Sequence, residues 1–341
     1  MTTAPSNLTR GYPIALLSAA ILSTTAIFIR YLTQTYALPP LLLAFWRAGF
    51  VVLTLLPVLG VLRPSLLGVR RDHLFYLSLY GFVLAIFNSV WTLSVDLNGA
   101  AVSTVLAYSS PAFTAVLGRW LLQERINLAK IVAISFSIGG CVLVSGMLDI
   151  TAWQVNLLGI VTGLLSGLCY AVYSLMGRSA SRRGLNPWTT LLYTFAFATI
   201  FLLFFNLLPG SYLPGTIGQP ADLFWLGSEL AGWGILFLLA AIPTVFGYGL
   251  YNVSLSLLPS SVANLILTLE PAFTAVIAYL LLGERFTGVQ IAGGLLILGG
   301  VLLLRIYEGR RALLGRSGSG RPAAGEAAGD NEPQPEHPPV L

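Results

Sequence analysis

Charge is what this chain has least of. Only 9% of its 341 residues are Asp, Glu, Lys or Arg, where a soluble domain carries about a quarter. A water-soluble fold, which must clothe its surface in such groups, is thereby excluded. Histidine is scarcer still. His73 and His337 are the two; both lie outside the apolar stretches, and neither has a companion for acid–base or metal chemistry. Cys141 and Cys169 are the two cysteines. They fall within apolar runs without CxxC spacing, which argues against a disulfide or thiol redox pair and leaves them as small packing groups. No phosphate-loop pattern occurs, so direct ATP-driven pumping would need a separate subunit. Serines are plentiful, but no base or metal cluster accompanies them inside the apolar runs, so no enzyme and no cofactor is expected. The formal net charge of +5 is spread thinly along the chain. With no basic patch interleaved with exposed aromatics, no nucleic-acid partner is expected.

What the chain has in abundance is apolar sequence. Hydrophobic residues make up 56% of it and the mean hydropathy is +0.82. A helix rises about 1.5 Å per residue and must cross about 30 Å of hydrocarbon, so about 20 mostly apolar residues mark a membrane span. Ten such stretches are predicted, at 12–33, 40–60, 74–93, 99–119, 128–147, 156–177, 187–208, 230–251, 260–282 and 288–306. The expected fold is all-α and embedded in the lipid bilayer. Arg10 precedes the first run as in a signal peptide, but the nine runs that follow favour an uncleaved first span. Connections are short; the longest, Pro209 to Glu229, is rich in Gly and Pro. From Tyr307 the composition changes to a polar, Gly- and Pro-rich tail, 307–341, expected to be disordered and cytoplasmic.

Ten spans place both termini on one side. With a cytoplasmic start, fifteen of the eighteen basic residues face the cytoplasm, while Asp96, Asp149, Asp222 and Glu229 fall at or near the outer side. The positive-inside rule then predicts a multi-pass protein of the cell's inner membrane with both termini cytoplasmic.

The phrase PAFTAV occurs at Pro111–Val116 and again at Pro271–Val276. The match extends from PAFTAVLGRWLLQERINLAKIVAISFSIGG to PAFTAVIAYLLLGERFTGVQIAGGLLILGG, pairing Glu124 with Glu284, Arg125 with Arg285, and Gly139–Gly140 with Gly299–Gly300. The repeats are predicted over 11–148 and 155–306, with five spans each. An odd number of spans means that equivalent helices cross in opposite directions. Inverted repeats of this kind allow alternating access to a site near the midplane. Together with AFWRAG in the second span, these phrases resemble the drug/metabolite transporter superfamily, in its EamA-like group of ten-helix permeases, from about residue 12 to 306. The resemblance implies a secondary transporter, most simply an exporter of amino acids or related small metabolites. Multidrug or larger-solute export, and a receptor or scaffold without transport, are the alternatives. Monomer and homodimer both remain open.

Two ionisable residues sit inside spans, where charge is costly and marks a cavity or a partner. Arg47, beside Trp46 in the second span, is a candidate anchor for a carboxylate; a structural charge pair or snorkelling to the headgroups is the alternative. Glu270 in LTLEPAFTAV precedes Pro271, which withholds an amide and loosens the helix there. It is a candidate partner for a solute amine and for proton coupling. The equivalent residue in the first half is Ser110. Trp46, Tyr108, Asn252 and Asn264 are further candidates for lining the path of a small organic solute. Structural roles are expected of Pro111, Pro271, Glu124 and Glu284, the two acids at helix ends capping or restraining turns. Gly159, Gly163 and Gly167 form GxxxGxxxG, a strip for close helix approach, most simply within one chain.

Overall fold

The computed structural model describes residues 5–124, 126–144, 157–208, 215–270, 272–273, 276–277 and 287–318. Pro271, Glu284, Arg285 and the tail beyond 318 lie outside the described residues. All regular structure in the described residues is helical: α1 Pro5–Leu22, α2 Thr25–Tyr36, α3 Pro40–Leu62, α4 Arg71–Ala107, α5 Ser110–Leu121, α6 Leu128–Val144, α7 Leu157–Arg182, α8 Pro187–Asn206, α9 Leu230–Leu239, a π-helical stretch Ala240–Tyr248, α10 Gly249–Leu257, α11 Ser260–Leu267 and α12 Gly288–Gly318, with short 3₁₀ turns at Pro64–Leu66 and Pro220–Phe224.

Among the described residues five helical segments are long and apolar enough to cross a membrane: Pro40–Leu62, Arg71–Ser94, Leu157–Arg182, Pro187–Asn206 and Leu230–Leu257. Between 39% and 50% of each is buried inside the protein. The outward remainder is itself apolar, as Leu53, Val61, Phe75, Val161 and Ile200 show by their exposure. In water such a surface is unstable; against lipid tails it is the natural exterior. α4 packs on α7 and α8, α3 on α8, α1 on α10 and the π stretch, α5 on α7 and α11, and α6 on α12. A second, smaller apolar cluster, including Leu32, Leu42, Ile217, Leu226 and Leu236, sits beneath the 3₁₀ turn at Pro220–Phe224.

Several expected spans differ from continuous helices. The first breaks at Ser23–Thr24, where Ser23 Oγ donates to Ala20 O and Thr24 Oγ1 to Ile21 O. These hydroxyls compete with backbone amides for the carbonyls of the preceding turn. Helical turns continue through the connection expected between 93 and 99 and run on to Ala107. Yet a Cβ at Gly163 would lie 2.8 Å from Ser94 Oγ and 2.6 Å from Leu106 Cδ1. A straight helix separates residues twelve apart by about 18 Å, so α4 doubles back between Ser94 and Leu106.

The fourth span instead breaks lower down, at Tyr108–Ser109, and the ninth breaks at Thr268–Leu269. The two breaks occupy the same register of the repeat, each immediately before a Ser110-Pro111 or Glu270-Pro271 pair. Proline has no amide to return to the fourth residue before it and its ring crowds that carbonyl, so a turn is favoured at this point. Hydroxyls add to the backbone bonds there: Ser109 Oγ donates to Leu106 O at 2.6 Å and Thr268 Oγ1 to Leu265 O at 2.6 Å, carbonyls that also accept the amides of the same two residues.

Glycine allows the closest helix approaches. A Cβ on Gly167 would strike Ser109 Oγ, and Ser94 Oγ donates to Gly159 O at 2.8 Å, so the GxxxGxxxG strip faces α4 and the Tyr108–Ser109 break of the same chain. One glycine of each repeated pair meets the opposite helix: a Cβ on Gly140 would lie 2.6 Å from Gly293 O, and one on Gly300 would lie 2.8 Å from Ala133 O, which draws α6 and α12 together.

Candidate functional site

The two helix breaks bring Tyr108 and Glu270 together. Tyr108 donates its hydroxyl to Glu270 Oε2 at 3.1 Å. Beside them Cys141 donates to the buried carbonyl of Thr268 at 3.9 Å. On the next turn Ser110 donates to Asn264 Oδ1 at 3.0 Å, and Asn264 Nδ2 donates to Thr114 Oγ1 at 2.8 Å and Ser174 Oγ at 3.1 Å. Ser174 and Tyr251 share a further bond of 2.6 Å. Asn264 is fully buried, and its amide is engaged by protein on both sides, tying α11 to α5 and α7.

Arg47 enters from α3. It is only 5% exposed, and Nη2 donates to Asn88 Oδ1 at 2.5 Å, while Asn88 Nδ2 returns to Leu84 O. Arg47 Nε has no partner among the described residues. The ion pair found among them is Arg70–Asp72, which is exposed at the surface. Arg47 and Glu270 are thus two charge-bearing groups inside the bundle without an ionic partner there. Tyr248, at the end of the π stretch, lies within electrostatic reach of both. Single π turns recur at functional sites because the extra residue displaces the following side chains. Here Thr244 Oγ1 bonds the carbonyl of Leu239 at 2.8 Å, and Ser18 Oγ anchors Gly247 O at 2.8 Å. Aromatic rings wall the site: Tyr170 stacks on Tyr251 with centroids 5.8 Å apart, Tyr173 meets Tyr248 edge-on at 5.9 Å, and Phe195 meets Tyr248 edge-on at 5.7 Å.

Trp46 and Asn252 stand apart from this centre. The Trp46 indole donates to Leu223 O at 2.7 Å, beneath the Pro220–Phe224 turn, and its ring meets Trp233 edge-on at 4.9 Å. Asn252 lies toward the α7–α8 turn, in a cleft with Gly177 and Thr190. Tyr248 and Asn88, which stand in the sequence among the polar and aromatic groups at membrane depth but outside the favoured subset, belong to this centre. Pro243 inside an otherwise helical run was the available signal for the first.

Glu124 does not act on its own turn alone. After α5, Gln123 adopts a left-handed backbone (φ 55°), and the amides of Leu122 and Glu124 both donate to Gly118 O. This turn aims the carboxylate at the N-terminus of α11. Ser260 donates through its amide (2.8 Å) and hydroxyl (2.6 Å) to Oε1, and Ser261 through its amide (3.4 Å) and hydroxyl (2.8 Å) to Oε2. Lys130 Nζ donates to Ser261 Oγ at 2.9 Å. Arg178 Nη1 meets the other side of the same connection, donating to Leu255 O and Ser256 O at 2.8 Å each. An anion at a helix N-terminus and a cation at a C-terminus both oppose the local backbone charge. The α10–α11 connection is therefore clamped from both ends.

Long apolar helices whose outward faces are themselves apolar, with ionisable side chains held inside the bundle, define a membrane protein. Comparison with known proteins gives the family. The model of the EamA-like transporter family matches residues 9–146 and again residues 157–306. The chain belongs to the EamA-like transporter family and is a multi-pass membrane protein. It is 26% identical over 297 residues to an uncharacterized transporter of Archaeoglobus fulgidus, covering 86% of this chain and 95% of that protein. It is also 26% identical over 237 residues to the threonine/homoserine exporter RhtA of Salmonella typhimurium, covering 69% of this chain and 72% of the exporter. A solved crystal structure shares its fold, with a TM-score of 0.71 and 14% identity over 89% of this chain and 99% of that one.

Proposed function

We propose that the protein is a secondary exporter of small zwitterionic solutes, amino acids or related metabolites, working by alternating access in the cell's inner membrane. The observation that carries this reading is the pair Arg47 and Glu270, both inside the bundle, neither with an ionic partner among the described residues, and both within reach of Tyr248. A buried charge is destabilising unless paired. A zwitterion supplies both missing partners at once: its carboxylate lies on Arg47 and its ammonium on Glu270, oriented by Tyr108. The related threonine/homoserine exporters make an amino acid the simplest such solute.

In this scheme ten spans form two inverted five-span halves, with both termini in the cytoplasm. The twofold match to one family model and the two breaks in one register support it. Clamping of the α10–α11 connection by Glu124 and Arg178 closes the cytoplasmic side, and its release opens the path inward. Trp46 lines the outer path and Asn252 the inner one, while Asn264 holds the break geometry around Glu270. Glu270 holds the solute amine in one phase and a proton in the other, which couples export to the proton gradient.

The test is mass-resolved flux of a mixed amino-acid and metabolite pool across proteoliposomes, with and without an imposed pH gradient, against empty liposomes. Selective movement of zwitterions, accelerated by the gradient, is expected. Movement of larger organic cations in place of amino acids would replace this reading with drug export, and absence of any flux from inserted, folded protein would end the transport reading.

A further inference from the structure

Three arginines form a row at the end of the bundle where α4 begins and α5 and α7 end. Arg182, in the last turn of α7, donates through Nη1 to Leu122 O at 3.1 Å, which seats it against the C-terminus of α5. Arg119 stands three residues before Leu122, one turn down the same face of α5. Arg183 leans the other way, with its guanidinium 4.4 Å from the centre of the Tyr76 ring on α4. Tyr76 is itself fixed to α7 by a hydroxyl bond to Met176 O at 2.6 Å. All three arginines are exposed, and none pairs with a carboxylate among the described residues. Neither α5 nor α7 carries an acid. Asp72, at the start of α4, is held by Arg70 at 2.9 Å, and Glu124, just past α5, is buried against Ser260 and Ser261.

A cation at a helix C-terminus opposes the backbone charge there, which accounts for part of this placement. It does not use the arginines up. The bond to Leu122 O engages one of the five N–H donors that a guanidinium carries, and the Tyr76 ring covers one face of Arg183 while leaving its edge to other partners. Beside the row the surface is apolar. Phe75 on α4 is 81% exposed and Trp120 on α5 is 76% exposed, the latter an aromatic ring at the level where such rings meet headgroups. Helix α7 adds a partly exposed line of Leu168, Val172 and Met176, spaced by four, that leads to Ser179 and Arg183.

We propose that Arg119, Arg182 and Arg183 hold the phosphate of an anionic phospholipid, with an acyl chain of the same lipid along the apolar line of α7. Guanidinium forks match phosphate oxygens, and the apolar wall matches the chain. A free phosphate would use the first and not the second. The chain's own C-terminal segment, where Glu326, Asp330, Glu332 and Glu336 cluster, likewise offers acids to the arginines but little to the wall. In the topology set out above the lipid belongs to the inner leaflet, and the site does not depend on which solute the protein moves.

The test offers delipidated full-length protein an equimolar mixture of phosphatidylglycerol and phosphatidylcholine with identical chains, and counts the retained lipids by native mass spectrometry. One arginine beside an anionic headgroup is worth about fivefold in binding, so wild type should prefer phosphatidylglycerol by roughly 100-fold. Arg119→Gln should cost about fivefold of that preference, and Arg182→Gln/Arg183→Gln should leave about fivefold. Arg63→Gln, exposed at the end of α3 and outside the row, should leave it unchanged. Phosphatidylglycerol should raise the thermal midpoint of wild type and not that of the double variant, and midpoints measured without lipid show that each variant is folded. Inorganic phosphate and glycerophosphoglycerol, the headgroup without chains, should fail to displace the lipid at equal concentration. Equal retention of the two lipids by wild type, an equal loss in Arg63→Gln, or displacement by either chain-free anion overturns the site. A preference that appears only after removal of residues 319–341 assigns the row to the acidic segment and overturns it as well.

Discussion

The break at Tyr108–Ser109 and the break at Thr268–Leu269 are one piece of backbone used twice. In the first half the residue after the break is Ser110, which donates to Asn264 and disappears into a network joining α5, α7 and α11. In the second half it is Glu270, whose partner among the described residues is the hydroxyl of Tyr108, itself from the first half's break. A serine satisfied inside the protein fixes the crossing of the halves. A carboxylate held by one neutral donor is left with capacity for a charged ligand. The repeat thus sets where the helices break, and its divergence at one position sets which side chain the break presents.

Making the halves alike should have the largest effect. Glu270→Ser, which gives the second half the first half's residue, should abolish zwitterion flux and leave the protein folded, as gel filtration and thermal unfolding would show. Glu270→Gln keeps the shape and removes the charge; flux should fall about 100-fold, in the range of about 2–5 kcal/mol for truncating one member of a buried charge pair. Arg47→Lys tests the opposite pole. A lysine keeps the charge but loses the planar fork, so the apparent affinity for the solute should weaken about tenfold, read as a rise in half-saturating concentration. Glu124→Gln should loosen the clamp on Ser260 and Ser261. A loss of about 1–3 kcal/mol in charge-assisted bonding should appear as faster labelling of a cysteine placed at Ser260 or Ser261 from the cytoplasmic side. Tyr108→Phe should be the mildest, slowing flux about fivefold, since a single hydrogen bond to a carboxylate is lost.

Much of this asymmetry is legible in the sequence. Period and length marked the apolar spans, the duplicated PAFTAV phrase fixed the register of the two halves, and Ser110 against Glu270 could be read directly from the alignment. Arg47 and Glu270 stood out because charge is rare in such runs. The partners did not. That Tyr108 bonds Glu270, or that Glu124 reaches Ser260 and Ser261 more than 130 residues away, depends on which helix faces cross, and the sequence period of a helix buried on one side and lipid-bathed on the other is weak. The π stretch at Ala240–Tyr248 shifts Tyr248 relative to an ideal helix, so its edge-on contacts with Tyr173 and Phe195 were hidden. Nor did any local signal reveal that Asn264 ties α11 to α5 and α7.

The central claim is that Arg47 and Glu270 hold opposite ends of one zwitterion. Its most direct test is a cycle measuring the binding of threonine, N-acetylthreonine and threonine methyl ester to wild-type, Arg47→Gln and Glu270→Gln protein. The account predicts matched pairs: masking the amine costs affinity in wild type but almost nothing further in Glu270→Gln, and masking the carboxylate likewise with Arg47→Gln. Losses that simply add in both pairs would show that neither residue touches the end assigned to it, and would contradict the account.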